Sequence, residues 1–412
     1  MRSDAAPGTA TVRMTPDERR ATSGLAGIYG LRMLGMFVIL PVFALYAETL
    51  PGGADRTMVG LALGAYGLTQ ALLQIPFGWA SDRYGRKRTI VFGLVLFALG
   101  SFVAAWAPDV AWTIVGRTLQ GAGAISAAVI ALTADLTRDS VRTKAMAAIG
   151  MTIGATFALS LVAGPVLTNW IGVPGIFALT GALALAAIGL LRWAVPEAPP
   201  AAHAGDLPGL AAFGRVLADG QLARLNYGIF ALHALLMALF VQVPFELRAA
   251  GVAAEAHWQV YLAVIAASVA LMLPALGWAD SPSRSKLVFN GAVAVLAAGQ
   301  LLLALAGPRL WWLGAGLVVF FAAFNLLEAT LPSLTSKYAP AALKGTAVGV
   351  YSSVQFLGTF VGAVAGGWLA QHSGAAAVFG FGIVLTLIWL VASATMAPPP
   401  AMRPGNYSMG ET

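Results

Sequence analysis

Apolar runs of about twenty residues recur along the whole chain, separated by short polar turns. Twenty helical residues at ~1.5 Å each match ~30 Å of hydrocarbon. Twelve such runs are predicted, at roughly 23–47, 57–80, 89–107, 110–133, 145–169, 174–195, 222–246, 257–279, 286–306, 311–333, 345–369 and 374–396. The longest polar interval, 196–221, is rich in Pro and Ala and falls near the middle. It divides the chain into an N-terminal six-helix bundle, 23–195, and a C-terminal one, 222–396, with tails at 1–22 and 397–412. The pattern predicts an all-α membrane protein of twelve transmembrane helices in two pseudo-symmetric bundles. The first tail is expected to be disordered. No cleavable leader is expected, because the first run is too long and Pro41 interrupts it.

The halves echo each other at an offset near 200. Arg142-Thr143-Lys144-Ala145 matches Lys344-Gly345-Thr346-Ala347, and Gly164 and Gly172 match Gly366 and Gly374. Gly78-Trp79-Ala80-Ser81-Asp82 returns as Gly277-Trp278-Ala279-Asp280. Two bundles of like topology, related by an axis along the membrane normal, are the arrangement of parallel-repeat transporters.

Composition agrees: 59% of residues are hydrophobic and 10% charged, against about 25% charged in soluble domains. The absence of cysteine excludes disulfides, thiolate metal sites and cysteine nucleophiles. The net charge of +7 reports topology rather than nucleic-acid binding. Only Arg56, Arg248 and Arg309 fall in odd-numbered turns, and only Arg32 and Arg117 inside spans. The other basic residues fall in the tails and even-numbered turns, which puts both termini in the cytoplasm.

Four ionisable residues sit within the spans: Arg32, Arg117, His233 and Glu328, on the first, fourth, seventh and tenth. A charge at mid-bilayer costs at least ~2.5–3.5 kcal/mol, so such residues face a cavity or a partner. Lining a central polar path is the expected role; internal pairing that locks a bundle is the alternative. Arginine stays charged, so Arg32 and Arg117 are fixed positive centres, while Glu328 and His233 can exchange protons. His233 also admits a plain packing role. Asn325, one helical turn from Glu328, shares its face. Tyr66, Gln70 and Gln74 recur along one face of the second span, facing the path or bonding between helices; Gln242 and Gln355 are further path candidates.

The densest charge lies at Gly78–Arg88, GWASDRYGRKR. Gly78 allows close helix approach, Gly85 a sharp turn, and Lys87 and Arg88 read as a solvated loop. The pattern Gly78-x-x-x-Asp82-Arg83-x-Gly85-Arg86-Lys87 resembles the signature of the major facilitator superfamily, departing at Ala80, where leucine is usual. The resemblance implies that Asp82 faces the start of the eleventh helix near Gly345, and that Arg86 pairs with Asp135. Together these form a latch between the halves, closed when the cavity faces outward. Arg117-x-x-Gln120-Gly121-x-Gly123 resembles the motif of drug:proton antiporters, and Gly164-Pro165 the core of the fifth-helix antiporter motif, with Thr168 and Asn169 where glycines are usual. LRMLGMFVILPV, YGLTQALLQIPFG and FNLLEATLPSL resemble the bacterial YajR-type group. Members of that group can carry a soluble C-terminal domain, for which the residues after the twelfth span are too few.

The resemblance implies a secondary transporter of the bacterial inner membrane that exports small amphipathic or cationic compounds against protons. The alternative is a symporter or facilitator importing an organic anion. The expected partners are a small-molecule substrate, protons and lipid, with no cofactor, no metal and a monomeric chain. No His-Glu-x-x-His, Gly-x-Ser-x-Gly or Walker pattern is present, so an enzyme is not expected.

Overall fold

The structure is a computed structural model that describes residues 13–197, 210–279, 282–340 and 343–397. The N-terminal half comprises α1 (Pro16–Ala47), α2 (Arg56–Tyr84), α3 (Arg86–Ala105), α4 (Val110–Asp135), α5 (139–171) and α6 (173–193). The C-terminal half comprises α7 (Gly220–Ala249), α8 (His257–Ala279), α9 (Pro282–Ala306), α10 (Leu310–Tyr338), α11 (Lys344–Ser373) and α12 (Ala375–Ala394). No strand occurs among the described residues.

The sequence explains where helices start and turn. Asp55, Asp109 and Asp219 cap α2, α4 and α7 by accepting the Thr57, Trp112 and Gln221 backbone N–H groups. The α5–α6 turn is made at Gly172 (φ 66°, ψ 173°), and the α11–α12 turn at Gly374 (φ 76°, ψ −175°). These repeat-related residues share one backbone conformation, open to glycine and strained for other residues.

Two boundaries differ from the sequence expectation. Helix α1 begins at Pro16, inside the stretch expected to be tail. A capping box forms there: Glu18 N–H donates to Thr15 Oγ1, and Thr15 N–H donates to Glu18 Oε2. Arg138, at the α4–α5 turn, grips the same Glu18 carboxylate through Nε at 2.7 Å and Nη2 at 2.9 Å. The interval expected to be linker holds a short helix, Leu210–Ala218, and α7 already starts at Gly220. Residues 1–12, most of the proline-rich stretch, Asp280 and the C-terminal tail lie outside the described residues.

Glycine sets the tightest packing. One face of α11 carries Gly358, Gly362 and Gly366; a Cβ on the first two would come within 2.3 Å of the Phe230 carbonyl oxygen and 2.1 Å of that of Ala234, both on α7. On another face of α11 the small residues belong to α2. A Cβ on Gly60, Gly64 or Gly67 would meet the carbonyl oxygens of Ala363, Phe360 or Phe356 at 2.3, 3.0 and 2.8 Å. Backbones this close gain dispersion contacts that lipid cannot replace. The α7–α11 contact lies inside the C-terminal half, whereas the α2–α11 contact joins the two halves.

These glycine faces generate a contrasting pair of predictions. Gly362→Leu meets the Ala234 backbone of α7, which cannot give way as a side chain could, and should cost well over ~3 kcal/mol, seen as loss of folded, monodisperse protein in detergent. Gly64→Leu should fold but wedge the halves apart where α2 meets α11, seen as a longer spin–spin distance between labels at Thr57→Cys and Gln371→Cys.

Candidate functional site

The N-terminal half encloses its two in-span arginines. Arg32 is about 1% exposed and donates to four neutral acceptors: Ser126 Oγ at 3.2 Å, Tyr66 Oη at 2.8 Å, Gln70 Oε1 at 2.8 Å and the Gly123 carbonyl at 3.3 Å. The last acceptor is free because α4 is interrupted there, its first segment ending at Ala122 and its second starting at Ser126. Gln70 passes the network to Gln74 (3.1 Å). Arg117 donates to Gln120 Oε1 at 2.8 Å, lies 4.9 Å from the Tyr66 ring centroid, and has an unpartnered Nε. Gln120 in turn donates to Ser101.

The four in-span charges are therefore not equivalent. Arg32 ties α1, α2 and α4 together and is not among the residues lining the two central cavities, whereas all four were expected to line the path. With no carboxylate paired to it, dipoles from four neutral groups solvate its charge. Gln70 is spent on the same network. Arg117 and Tyr66 do line a small cavity of about 90 Å³, shared with His233, Glu328 and Gln355 of the other half.

Across that cavity His233 Nε2 lies 2.8 Å from Gln355 Nε2 and 3.9 Å from Glu328 Oε2. His233 Nδ1 is 3.3 Å from the Ile229 carbonyl. With Nδ1–H donating to that carbonyl, Nε2 of the neutral ring accepts from the Gln355 amide N–H. Glu328 Oε2 is buried without a hydrogen-bond partner among the described residues, as is the Tyr351 hydroxyl. Tyr351 stands one helical turn before Gln355 on α11. Glu328 also opens onto a second cavity of about 540 Å³, together with Asn325, Met151 of α5 and Val269 of α8.

An aromatic cluster bridges the halves at the walls of these cavities. Phe157 of α5 contacts Phe37 (5.1 Å between centroids) in its own half, and Phe240, Phe321 and Phe324 (6.5, 6.1 and 5.9 Å) in the other. Phe157 was not singled out from the sequence. Its only signal was its position two turns before Gly164. Gly164 itself packs on the break in α1: a Cβ there would stand 2.5 Å from the Val38 carbonyl oxygen and 2.9 Å from Pro41. Pro165 is buried beside it.

At the basic end the halves stand apart. Arg86 donates to Ser81 Oγ (2.8 Å), to Asp82 and to Asp135 Oδ2 (2.9 Å). Arg83 stacks over Trp79. Asp82 and Gly345 line a cavity of about 520 Å³ with Gln74, Gly78 and Phe213, and no hydrogen bond joins Asp82 to α11. Gly78 has only Ala127 within reach, so it makes no close helix contact in this conformation. Lys87 is not a solvated loop residue: it holds the Val195 carbonyl (2.7 Å) and Glu197 (2.8 Å), pinning α3 to the end of α6.

The opposite end is sealed. Arg56 of α2 donates its backbone N–H to Gln371 Oε1 (2.9 Å) and Nη1 to Gln242 Oε1 (3.2 Å), with its guanidinium 4.1 Å from the Phe245 centroid. Arg248 binds Glu48 across the halves at 2.8 Å. Gln242 thus belongs to this seal rather than to the central cluster. No group of three metal-ligating residues occurs among the described residues.

Comparison with known proteins agrees with this architecture. A solved bacterial homologue of the human lysosomal transporter Spinster, in an inward-facing and occupied conformation, superposes with a TM-score of 0.71 at 15% identity, covering 93% of this chain and 96% of the other. The class B tetracycline resistance protein of Escherichia coli is 30% identical over 144 residues, 34% of this chain and 35% of its own length. The inner membrane transport protein YajR of E. coli K12 is 46% identical over 391 residues, 94% of this chain and 86% of that protein. Residues 25–363 and 253–410 match the profile of the Major Facilitator Superfamily. This chain is a multi-pass membrane transporter and belongs to the major facilitator superfamily.

Proposed function

We propose that the chain is a proton-coupled exporter of small amphipathic or cationic compounds, working by alternating access between its two halves. The basic end is taken as cytoplasmic by the positive-inside rule, so the conformation described is inward-facing. The observation that carries the proposal is Glu328, an in-span carboxylate with one oxygen buried and unpartnered, 3.9 Å from His233 and open to both central cavities. A carboxylate so placed can hold either a proton or a cation, and exchanging one for the other is antiport. Partial likeness to a tetracycline resistance protein supports export.

In this reading Asp82, Arg86 and Asp135 form the inward side's latch. Here Arg86 holds both carboxylates in the N-terminal half, and the start of α11 is free of them. Closure brings Asp82 to the α11 N-terminus, where a helix end favours a carboxylate by ~0.3–1 kcal/mol. An anion importer is the second reading, favoured by Arg117 on the wall of the small cavity.

One assay separates the two. Liposomes with a trapped pH dye and no imposed gradient receive external ethidium or tetraphenylphosphonium, which carry charge at every pH. Antiport alkalinises the lumen as the cation enters, and Glu328→Gln should reduce the rate at least tenfold. An organic anion that acidifies the lumen, with the cations silent, would establish the importer instead. For the latch, Asp82→Asn should shift the population toward the inward-facing form. Labels at Gly78→Cys and Gly349→Cys would then show the longer distance in a larger fraction of molecules than wild type under outward-favouring conditions.

A further inference from the structure

The 540 Å³ cavity lies between α5 on one side and α8 and α10 on the other. At the sealed end α5 meets the turn that leads into α8, where Asn169 reaches the carbonyl of Glu255, two residues before α8 (3.4 Å). Toward the basic end the two helices diverge. Gly150 and Gly154 of α5 would have no atom within 4 Å of an added Cβ, and Met151 beside them is 69% exposed. Val269 stands exposed on the α8 lip.

Depth decides what the mouth opens onto. At 1.5 Å per residue, Val269 is ~18 Å from His257, Glu328 ~24 Å from Trp312, and Met151 ~28 Å from Trp170. All three starting residues mark the sealed end, and Trp312 and Trp170 are exposed there as interfacial anchors. The three lining residues therefore lie within the ~30 Å hydrocarbon slab, in the leaflet of the basic end. The 520 Å³ cavity lies on the other flank, between α2, α4 and α11.

The lining specifies the ligand. Its walls are mostly apolar, among them Phe157, Ile265, Met272 and Phe324; Asn325 and His233 are the polar groups beside Glu328, which is the one carboxylate on them, with no lysine or arginine. A body soluble in acyl chains fits the walls, and a single positive head fits the carboxylate.

We propose that this cavity is a lateral binding site, open to the inner leaflet between α5 and α8, for amphipaths with one cationic head, which reach Glu328 from the bilayer rather than from the cytoplasm. The proposal rests on the exporter reading and adds the route and the substrate class.

The test exploits the absence of native cysteine, so that each introduced thiol is unique. Ala329→Cys lines the cavity, Val269→Cys marks the other lip, and Ser352→Cys marks the 520 Å³ cavity. Each carries a small fluorophore in nanodiscs of phosphatidylethanolamine and phosphatidylglycerol (3:1). Mid-chain brominated lipid should quench the labels at 329 and 269 at least twice as strongly as the label at 352, and aqueous iodide should show the reverse order. Iodide quenching at 329 and 269 without lipid quenching would overturn the lateral route. In unlabelled Ala329→Cys, micromolar dodecyltrimethylammonium should slow reaction with a membrane-soluble maleimide at least fivefold, and dodecyl sulfate should not. The slowing should vanish in the Glu328→Gln background. Equal slowing by both amphiphiles, or slowing that survives Glu328→Gln, would mean that the site takes any acyl chain and would overturn the cationic class. Neither readout needs proton flux. Lipid quenching with head-selective protection but no lumen pH change would leave this site standing and remove proton coupling. Proton-coupled flux with a site reached only by iodide would do the opposite.

Discussion

The contact on which the rest depends is backbone against backbone, where α2 meets α11. Gly60, Gly64 and Gly67 let the N-terminal half approach the main chain of Phe356–Ala363 closely enough to exclude any side chain. Dispersion falls steeply with distance, so this seam either closes fully or contributes little. Sealing it at one end tilts the bundles and holds their other ends apart, which creates both large cavities. The polar seal of Arg56, Gln242 and Gln371, and the Arg248–Glu48 pair, then fix the same arrangement from the water side. Exposed ion pairs each contribute at most ~1 kcal/mol. They suit a gate that must open in every cycle, with glycine packing supplying shape more than strength.

Burying charge in hydrocarbon forced two different solutions. The N-terminal half solvates Arg32 with a hydroxyl, a phenol, an amide and a carbonyl released by a helix break, so its two terminal nitrogens are matched internally, while its Nε has no partner among the described residues. The C-terminal half leaves a Glu328 oxygen and the Tyr351 hydroxyl without partners. An unsatisfied buried polar group costs ~1–3 kcal/mol, more when charged. Such a cost, next to cavities that a ligand can enter, marks a place where binding has something to complete.

Much of this was legible in the sequence, and the limits were physical. Hydrophobic run length gave the helices because hydrocarbon thickness is fixed. The repeat offset picked out Gly172 and Gly374, which share one backbone conformation because only glycine tolerates it. Insertion cost singled out four in-span charges, but cost alone does not say whether a charge meets a cavity or a partner. Arg32 met partners, one of them a carbonyl exposed by an interruption of α4 that no residue pattern announced. The start of α1 was missed because Pro16–Arg20 reads as polar tail; its order comes from Glu18 being gripped by Arg138, about 120 residues away. Phe157 was missed because an aromatic in an apolar helix carries no mark of which way it faces.

The placement of the charges bears on the proposed cycle. The two in-span arginines stand in one half, and the titratable His233 and Glu328 in the other, so any rocking of the bundles changes their separation. Arg117 and Glu328 already share a small cavity without touching. Closing the basic end would shrink the space between them, and in a medium of low dielectric the coupling grows steeply as distance falls. A carboxylate approached by a permanent cation sheds a bound proton or cation more readily. Conformation and occupancy of Glu328 would then be linked by geometry alone, because both depend on how far the two halves have moved. Arg32 cannot serve in this way, since every acceptor it uses moves with it in the same half. The chain thus carries one arginine that ties a bundle together and another whose distance to a carboxylate would follow the state of the transporter under the proposed cycle.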